Sequence, residues 1–510
     1  MNPISMLFPS AGHAVSENAQ PPAYFDDLNL NQVVDWLTAS KQEYNLKAYY
    51  YTAVQDEETI QFRQEIVRDL LEETTLTRLQ TFAAQMVILR RYRKLIGELV
   101  HQNHREGWFL EAVLVYVRAV IQLAQDLNDA ELRSRGLMAF RQALDAYARS
   151  SEFQRLVDEA EQLKQDLSAV RYCILIKDTT VKVRPYEGEA DYSIEVEKTF
   201  EKFKQGAVKD YLIKLNIVSS MNHVEAQILD LVARLNPELF DRLHRFYADH
   251  AQFAADFILA FDREMQFYLA YLETILPLMK SGLKFCLPVV SRKNKAVNAV
   301  DAFDLALAIQ LRENTARIVP NDFHLQDKER VIIVSGPNQG GKTTFARMFG
   351  QLHHLACLGL PVPGREARLF CFDDIFTHFE REEDIRKLRG KLNEELARMR
   401  QIFEQATPNS LIILNEPFNS TTLKDALFLS RKIMQRILEL DSLCVWVTFL
   451  TELASAAEKT VSMISTVDAE DVARRTFRII RRPADGLAYA ITIAEKHRLT
   501  YEKLKERIQA

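Results

Sequence analysis

The sequence predicts an α + α/β fold, with long helices carrying a small β hairpin first and then a parallel sheet interleaved with helices. Three observations predict it. Apolar residues recur at helical spacing through most of the chain before Leu311. Past that point short apolar runs bounded by charge or turn residues alternate with helical patterns, the signature of buried parallel strands. Glycine is also scarce, with 15 in 510 residues, about 3% against a usual ~7%, and a chain rich in Leu, Ala, Glu, Arg and Gln favours long helices.

The elements follow in order. Residues 1–25 hold Pro, Gly, Ser and Asn without periodicity and read as a flexible or draped arm. Helical patterns begin near Leu30. They run from Thr59 to Leu71 and from Leu76 to Leu99, where Leu79, Phe82, Met86, Leu89 and Leu95 fall near one face. They continue from Gly107 to Leu127 and from Asp129 to Ala148. From Arg171 to Tyr186 β-branched residues flank the polar stretch Lys177-Asp178-Thr179-Thr180, which predicts a hairpin. Helices then resume. Ser219 and Ser220 are expected to cap one that ends before Asn236-Pro237. Phe257, Phe261, Met265, Tyr268, Leu272 and Ile275 mark a core-facing helix between Phe253 and Leu276. The expected domains are therefore an arm over 1–25, a helical domain over 26–311 with a β insertion near 170–190, and an α/β domain over 312–510.

Bulk properties narrow the class. The net charge of −5 means that any nucleic-acid contact must come from a local patch. Cysteine appears at 173, 286, 357, 371 and 444, an odd set without a Cys-x-x-Cys pair. That fits free thiols in a reducing cytoplasm and leaves no readable zinc site. The N-terminus lacks a basic-then-apolar signal pattern, and no membrane span is expected. The chain reads as soluble and cytoplasmic.

Val331-Ile332-Ile333-Val334 runs directly into Gly336-Pro337-Asn338-Gln339-Gly340-Gly341-Lys342-Thr343-Thr344. This matches the Walker A pattern at every fixed position, with a strand before it and an amphipathic helix, Thr344 to Leu355, after it. The glycines let the backbone curl so that its N–H groups point at phosphate oxygens, and the helix N-terminus adds partial positive charge. Lys342 is expected to reach the β- and γ-phosphates of ATP and the Thr343 hydroxyl to bind Mg²⁺. A second apolar strand, Leu411 to Leu414, ends in Asn415-Glu416, the layout of a Walker B motif. Asn415 then stands where a carboxylate usually holds the metal through water, and Glu416 keeps the place of a general base.

Pro337 and Asn338 set this loop apart from most phosphate loops, and Gly-Pro-Asn-Gln-Gly-Gly-Lys-Thr-Thr closely resembles the loop of the MutS family. The downstream order is similar too. Pro361-Val362-Pro363, Arg368-Leu369-Phe370 and Asp374-Ile375-Phe376-Thr377 lie between the two Walker motifs. Asn419 to Asp425 follows, and Pro483-Ala484-Asp485-Gly486 with Tyr489-Ala490-Ile491 stands near the end. The resemblance implies a helical lever and core domain, then an ABC-type P-loop ATPase domain that dimerises. It implies that two subunits complete each other's ATP sites and that nucleotide state controls a DNA clamp. It places Gly336 to Thr344, Asn415 and Glu416 at the nucleotide, and sets Asn321 near the adenine.

Three positions depart from the family pattern. The Walker B aspartate is Asn415. The serine that reaches across the dimer falls at Gly390, within Leu388-Arg389-Gly390-Lys391-Leu392. The histidine after the later strand is Phe449, within Val447-Thr448-Phe449. Each substitution removes a polar group from the hydrolytic site, and one such group is worth roughly 10²–10³ in rate. Slow hydrolysis is the expectation. The helical core also begins by about residue 30, which leaves no room before it for the family's mismatch-reading domain, and no nuclease domain is expected after the helix at Lys503 to Ile508.

Two readings of function stand side by side. One is a homodimeric, ATP-driven clamp on mismatched or branched DNA, of the mismatch repair and recombination class. The other is a nucleotide-gated dimeric scaffold that binds ATP and protein partners with negligible turnover. Arg90-Arg91-Tyr92-Arg93-Lys94 and Arg292-Lys293-Asn294-Lys295 are the densest basic runs. They serve either DNA phosphates or a solvated face. The hairpin near Asp178 is either a clamp tip or a structural joint.

Overall fold

A computed structural model describes residues 4–10, 19–178, 180–188, 221–380, 390–468 and 474–483. The expected Ser219 and Ser220 cap, Leu388 and Arg389, the stretch from Ala484 and the helix at Lys503 lie outside them. The chain divides into two compact units, one of residues 1–71, 133–137 and 263–510, the other of residues 72–132 and 138–262. This corrects the expected boundary at 311. The first unit takes its core from both ends of the sequence, which no local pattern announces.

Helices α1 (Tyr24–Asp27), α2 (Leu30–Thr38), α3 (Lys47–Tyr51) and α4 (Glu57–Leu70) belong to this first unit. The arm before them is draped rather than free over its described part. Met6 and Leu7 are buried. The Met6 N–H and the Ser5 hydroxyl donate to the Glu264 carboxylate. The wholly buried Arg63 donates from Nε to the Leu7 carbonyl at 2.9 Å and from Nη1 to the Leu358 carbonyl at 3.2 Å. A buried guanidinium needs such partners, so the arm is part of the fold.

The second unit is helical. It holds α5 (Glu73–Glu98), α6 (Gln102–Asn128), most of α7 (Arg135–Ala148) and α8 (Ser151–Ala169). The hairpin β1 (Tyr172–Lys177) and β2 (Thr180–Pro185) follows, in the register Lys177 opposite Thr180. Then come α9 (His223–Leu235), α10 (Pro237–Asp249) and the start of α11 (Asp256–Lys280). The helix expected from Asp129 begins only at Arg135, because the Asp69 carboxylate accepts the N–H groups of Arg133 and Ser134 and holds them outside helical geometry. Asn222 caps α9 in a reciprocal box with Glu225. Pro237 occupies the first turn of α10, so the expected break is a helix start. Helix α6 is long and apolar enough to cross a membrane by length and composition, contrary to expectation, but 61% of that stretch is buried inside the protein. Its apolar faces meet α5, α8 and α10 instead, and Phe140 stacks on Phe261 with ring centroids 3.6 Å apart.

The remainder of the first unit carries the sheets. After the short strands β3 (Phe285–Cys286) and β4 (Val289–Ser291) come β5 (Val297–Ala302), α12 (Leu305–Gln310) and β6 (Asn321–Leu325). Then follow β7 (Val331–Ser335), α13 (Lys342–Cys357), β8 (Val362–Pro363), β9 (Glu366–Phe370), β10 (Ile375–His378), α14 (Lys391–Gln405), β11 (Leu411–Asn415) and α15 (Leu423–Leu440). Strands β12 (Leu443–Val447), β13 (Thr460–Val467) and β14 (Arg475–Arg481) complete the unit. The main sheet has the order β10-β11-β12-β7-β13-β14, parallel except for β14. A smaller sheet runs β4-β9-β5-β6. Strands β7, β11 and β12 are buried almost throughout, as continuous apolar runs in a parallel sheet require. Their register sets Asn415, Val447 and Val334 level with one another. The segments after these strands therefore open on one edge of the sheet, where ligands of open α/β sheets bind.

Candidate nucleotide site

The loop between β7 and α13 is shaped by backbone that ordinary residues avoid. Gly336 has φ 124° and Gly341 φ 88°, and Gln339 is also left-handed at 59°. A Cβ on Gly340 would stand 2.3 Å from the Ser465 hydroxyl and 3.0 Å from the Pro337 carbonyl, so only glycine fits. Ser465 on β13 closes the loop from the side, donating to the Gly340 carbonyl at 2.6 Å. Sequence reasoning passed Ser465 over, since nothing in the apolar run around it signals a loop partner.

Lys342 opens α13 and is buried. Its Nζ donates to the carbonyls of Gly336 and Pro337, each at 3.1 Å. It lies 3.6 Å from Glu416 Oε1 and 4.4 Å from the centre of the Phe449 ring. Burial pulls the ammonium below its usual pKa; the Glu416 carboxylate opposes this and Arg475 adds to it. The Thr343 hydroxyl donates to Asn415 Oδ1 at 3.1 Å. Glu416 itself takes a left-handed φ of 51° and donates its N–H to the Val447 carbonyl. Asn419 Nδ2 reaches Glu416 Oε2 at 3.3 Å.

The structure thus brings Gly336 to Thr343, Asn415, Glu416 and Phe449 together. Gly390 precedes α14 as its N-cap, and none of the described residues comes within 4 Å of where its side chain would stand. Asn338 to Thr344, Glu416 and Asn321 line one cavity of about 730 Å³. Asn321, expected near the adenine, lines this cavity with its amide committed to the backbone. Oδ1 accepts the Ile479 N–H at 2.7 Å, and Nδ2 donates to the Phe477 carbonyl at 3.1 Å. Arg475 and Phe477 are two site residues the sequence did not reveal. Arg475 Nε donates to the Asn338 carbonyl at 3.1 Å, and Phe477 lines the cavity.

For Mg²⁺ the fitting donors are Thr343 Oγ1 and Asn415 Oδ1, two neutral oxygens that here hydrogen-bond to each other. Among the described residues no cluster of three or more His, Cys, Asp or Glu side chains is suited to a metal. The two expected basic runs are partly spent elsewhere. Arg90 pairs with the buried Asp262, while Arg91, Arg93 and Lys94 stand exposed on α5. Arg292 Nη1 donates to the Gln55 carbonyl and Lys295 binds Asp441, so that run is largely structural.

Residues 332–504 match the family profile described as MutS domain V. The DNA mismatch repair protein MutS of Syntrophomonas wolfei is 36% identical over 157 residues, 30% of this chain and 18% of its own length. The DNA mismatch repair protein MSH3 of Eremothecium gossypii is 29% identical over 171 residues, 33% of this chain and 15% of its own. MutS of Halalkalibacterium halodurans is 30% identical over 182 residues, 35% and 21% respectively. The matched stretch thus spans at most about a fifth of each of these relatives. It coincides with the sheet that carries the glycine-rich loop, so residues 332–504 of this chain are similar to the MutS domain V of these relatives.

Proposed function

We propose that this chain binds ATP with Mg²⁺ between the loop Gly336–Thr344 and the Asn415-Glu416 strand end, and that two copies complete each other's sites in an ATP-driven clamp on DNA. The observation that carries the reading is the glycine cradle closed on the buried Lys342, with an open cavity beside it. Backbone N–H groups of the loop and the N-terminus of α13 hold phosphate. Lys342 turns from the Gly336 and Pro337 carbonyls to the β- and γ-phosphates. Glu416 sits within reach to orient and deprotonate an attacking water. Mg²⁺, when bound, neutralises charge on the phosphate oxygens. Because Asn415 brings no charge to it, the metal is held weakly and turnover is slow. That the relatives are DNA mismatch repair proteins supports mismatched DNA as the partner, and the exposed Arg91, Arg93 and Lys94 offer phosphate contacts on α5. Free thiols at all five cysteines suit a cytoplasmic setting.

The test is ATP binding and turnover by the full chain, with and without duplex, mismatched and branched DNA at low salt. Saturable ATP binding with slow turnover that rises with DNA is expected. Absence of both DNA binding and stimulation would sink the clamp.

One observation favours a second reading, a nucleotide-gated scaffold for protein partners with negligible hydrolysis. Phe449 puts an apolar ring over Lys342, next to the uncharged Asn415. Single-turnover hydrolysis well above background, lost in Glu416→Gln, counts against it.

A further inference from the structure

The register of β13 and β14 breaks at one place. Ser465 pairs with Ile479, and pairing resumes at Val467 with Arg475. Thr466 alone therefore faces residues 476–478, a bulge in β14. At its apex Phe477 has φ 58°, a left-handed backbone that bulky residues rarely adopt. The bulge is stapled from three sides. The Thr476 hydroxyl donates to the Thr466 carbonyl at 2.9 Å, and the Thr466 hydroxyl to the Arg478 carbonyl at 3.1 Å. From β6, Asn321 accepts from the Ile479 N–H and donates to the Phe477 carbonyl. A bulge fixed in this way re-aims a side chain.

The side chain it aims is half exposed, at 48%. The Phe477 ring lines the same cavity as Lys342 and Thr343, and its Cδ1 lies 3.7 Å from where a Cβ on Gly341 would stand. A half-exposed ring adds little to the core, so packing of the side chain does not by itself account for the left-handed backbone that places it there. Leu307, Leu311 and Ile318 line this cavity too. It therefore offers a phosphate cradle together with apolar and aromatic surface, which matches a ligand with phosphates and a flat body.

We propose that Phe477 is the residue that holds the nucleobase, by stacking, and that Asn321 is a positioning residue which fixes the bulge instead of reading the base. This rests on the reading of the cavity as a nucleotide site. Every base has a π-face, so stacking selects for ring area and not for the pattern of donors and acceptors. ATP and GTP bind alike, UTP binds less well, and inorganic tripolyphosphate is indifferent to Phe477.

The experiment is calorimetric titration of the full chain with tripolyphosphate, ATP, GTP and UTP, for wild type, Phe477→Ala, Phe477→Trp and Asn321→Ala. Circular dichroism of each variant checks the fold. Phe477→Ala is expected to weaken ATP and GTP about tenfold and to leave tripolyphosphate unchanged, while Phe477→Trp retains ATP. Asn321→Ala is expected to weaken ATP in the direction of Phe477→Ala with tripolyphosphate again unchanged. ATP affinity within twofold of wild type in Phe477→Ala overturns the stacking role, and so does a strong ATP preference over GTP in wild type. Unchanged ATP affinity in Asn321→Ala overturns the positioning role. Tripolyphosphate and ATP both failing to bind wild type would instead remove the nucleotide site, and the proposal with it.

Discussion

Acidification should destabilise the first unit through two adjacent histidines on α13, the helix that starts at the phosphate loop. His353 and His354 are fully buried, and burial pushes each down to about 4 from an ordinary 6.5. His354 Nε2 donates to the Tyr50 carbonyl at 2.8 Å, which leaves Nδ1 to accept from the Tyr24 hydroxyl at 3.0 Å. His353 Nδ1 donates to the Phe349 carbonyl, and its Nε2 has no hydrogen-bond partner among the described residues. Both rings are thus neutral in the folded chain. Between pH 6.5 and 4 the unfolded chain takes up protons that the folded chain refuses, so stability falls as pH falls through that window and is intact above it. At pH 5.5, one unit below the unfolded value, each ring costs about 1.4 kcal/mol, or about 3 kcal/mol for the pair. The assay is the urea midpoint of wild type and His353→Leu at pH 8, 6.5 and 5.5. Leucine fills the site and removes one titrating ring, so between pH 8 and 5.5 the variant should gain about 1.4 kcal/mol on wild type. Parallel pH profiles for the two proteins would refute a neutral, buried His353.

Lys342→Ala should lower ATP affinity by at least about 100-fold in calorimetry, since the charge-assisted contacts to phosphate go with it; affinity that survives puts the phosphates elsewhere. Asn415→Asp should raise Mg²⁺-dependent turnover, and an unchanged rate shows that the absent carboxylate is not what limits hydrolysis. Gly340→Ala should cost about 1–3 kcal/mol of stability and abolish nucleotide binding, because its Cβ meets the Ser465 hydroxyl at 2.3 Å. Adding Ser465→Ala should return part of that stability, and a double variant no better than the single locates the clash at Pro337 instead. Phe449→Leu keeps the bulk and removes the ring face from Lys342, so ATP affinity should rise about two- to fivefold; weaker binding would mean the ring helps to hold the nucleotide.

What was legible in the sequence is local. Val331 to Val334 and Leu411 to Leu414 are continuous apolar runs because parallel strands are buried on both faces, and each is a strand where expected. The loop between β7 and α13 is a fixed spacing of glycines with a lysine, and its curl follows from those residues. The long-range features were not legible. Residues 1–71 join the phosphate-loop unit through contacts such as that of Thr377 Oγ1 with Asp27, which also pairs with Arg398. No pattern in either segment names the other. Asn321 stands where a nucleotide contact was expected, but its amide is claimed by backbone more than 150 residues away. Phe477 was invisible because a left-handed phenylalanine contradicts its own propensity, and only the pairing of β13 with β14 imposes it.

These departures converge on one atom. Lys342 Nζ is satisfied without a ligand by two carbonyls, by Glu416 at 3.6 Å and by the face of Phe449. A phosphate must displace the lysine from partners that a buried ammonium already requires. A polar residue in place of Phe449 would present a donor or acceptor to the reacting phosphate, whereas the ring presents only its π-face, and to the lysine. Glu416 is meanwhile drawn toward the same ammonium. On the nucleotide reading proposed above, a phosphate that took the lysine would release the carboxylate to accept a proton from water. On that reading, binding and activation would be coupled through a single side chain, with the occupancy of Lys342 setting whether Glu416 is available.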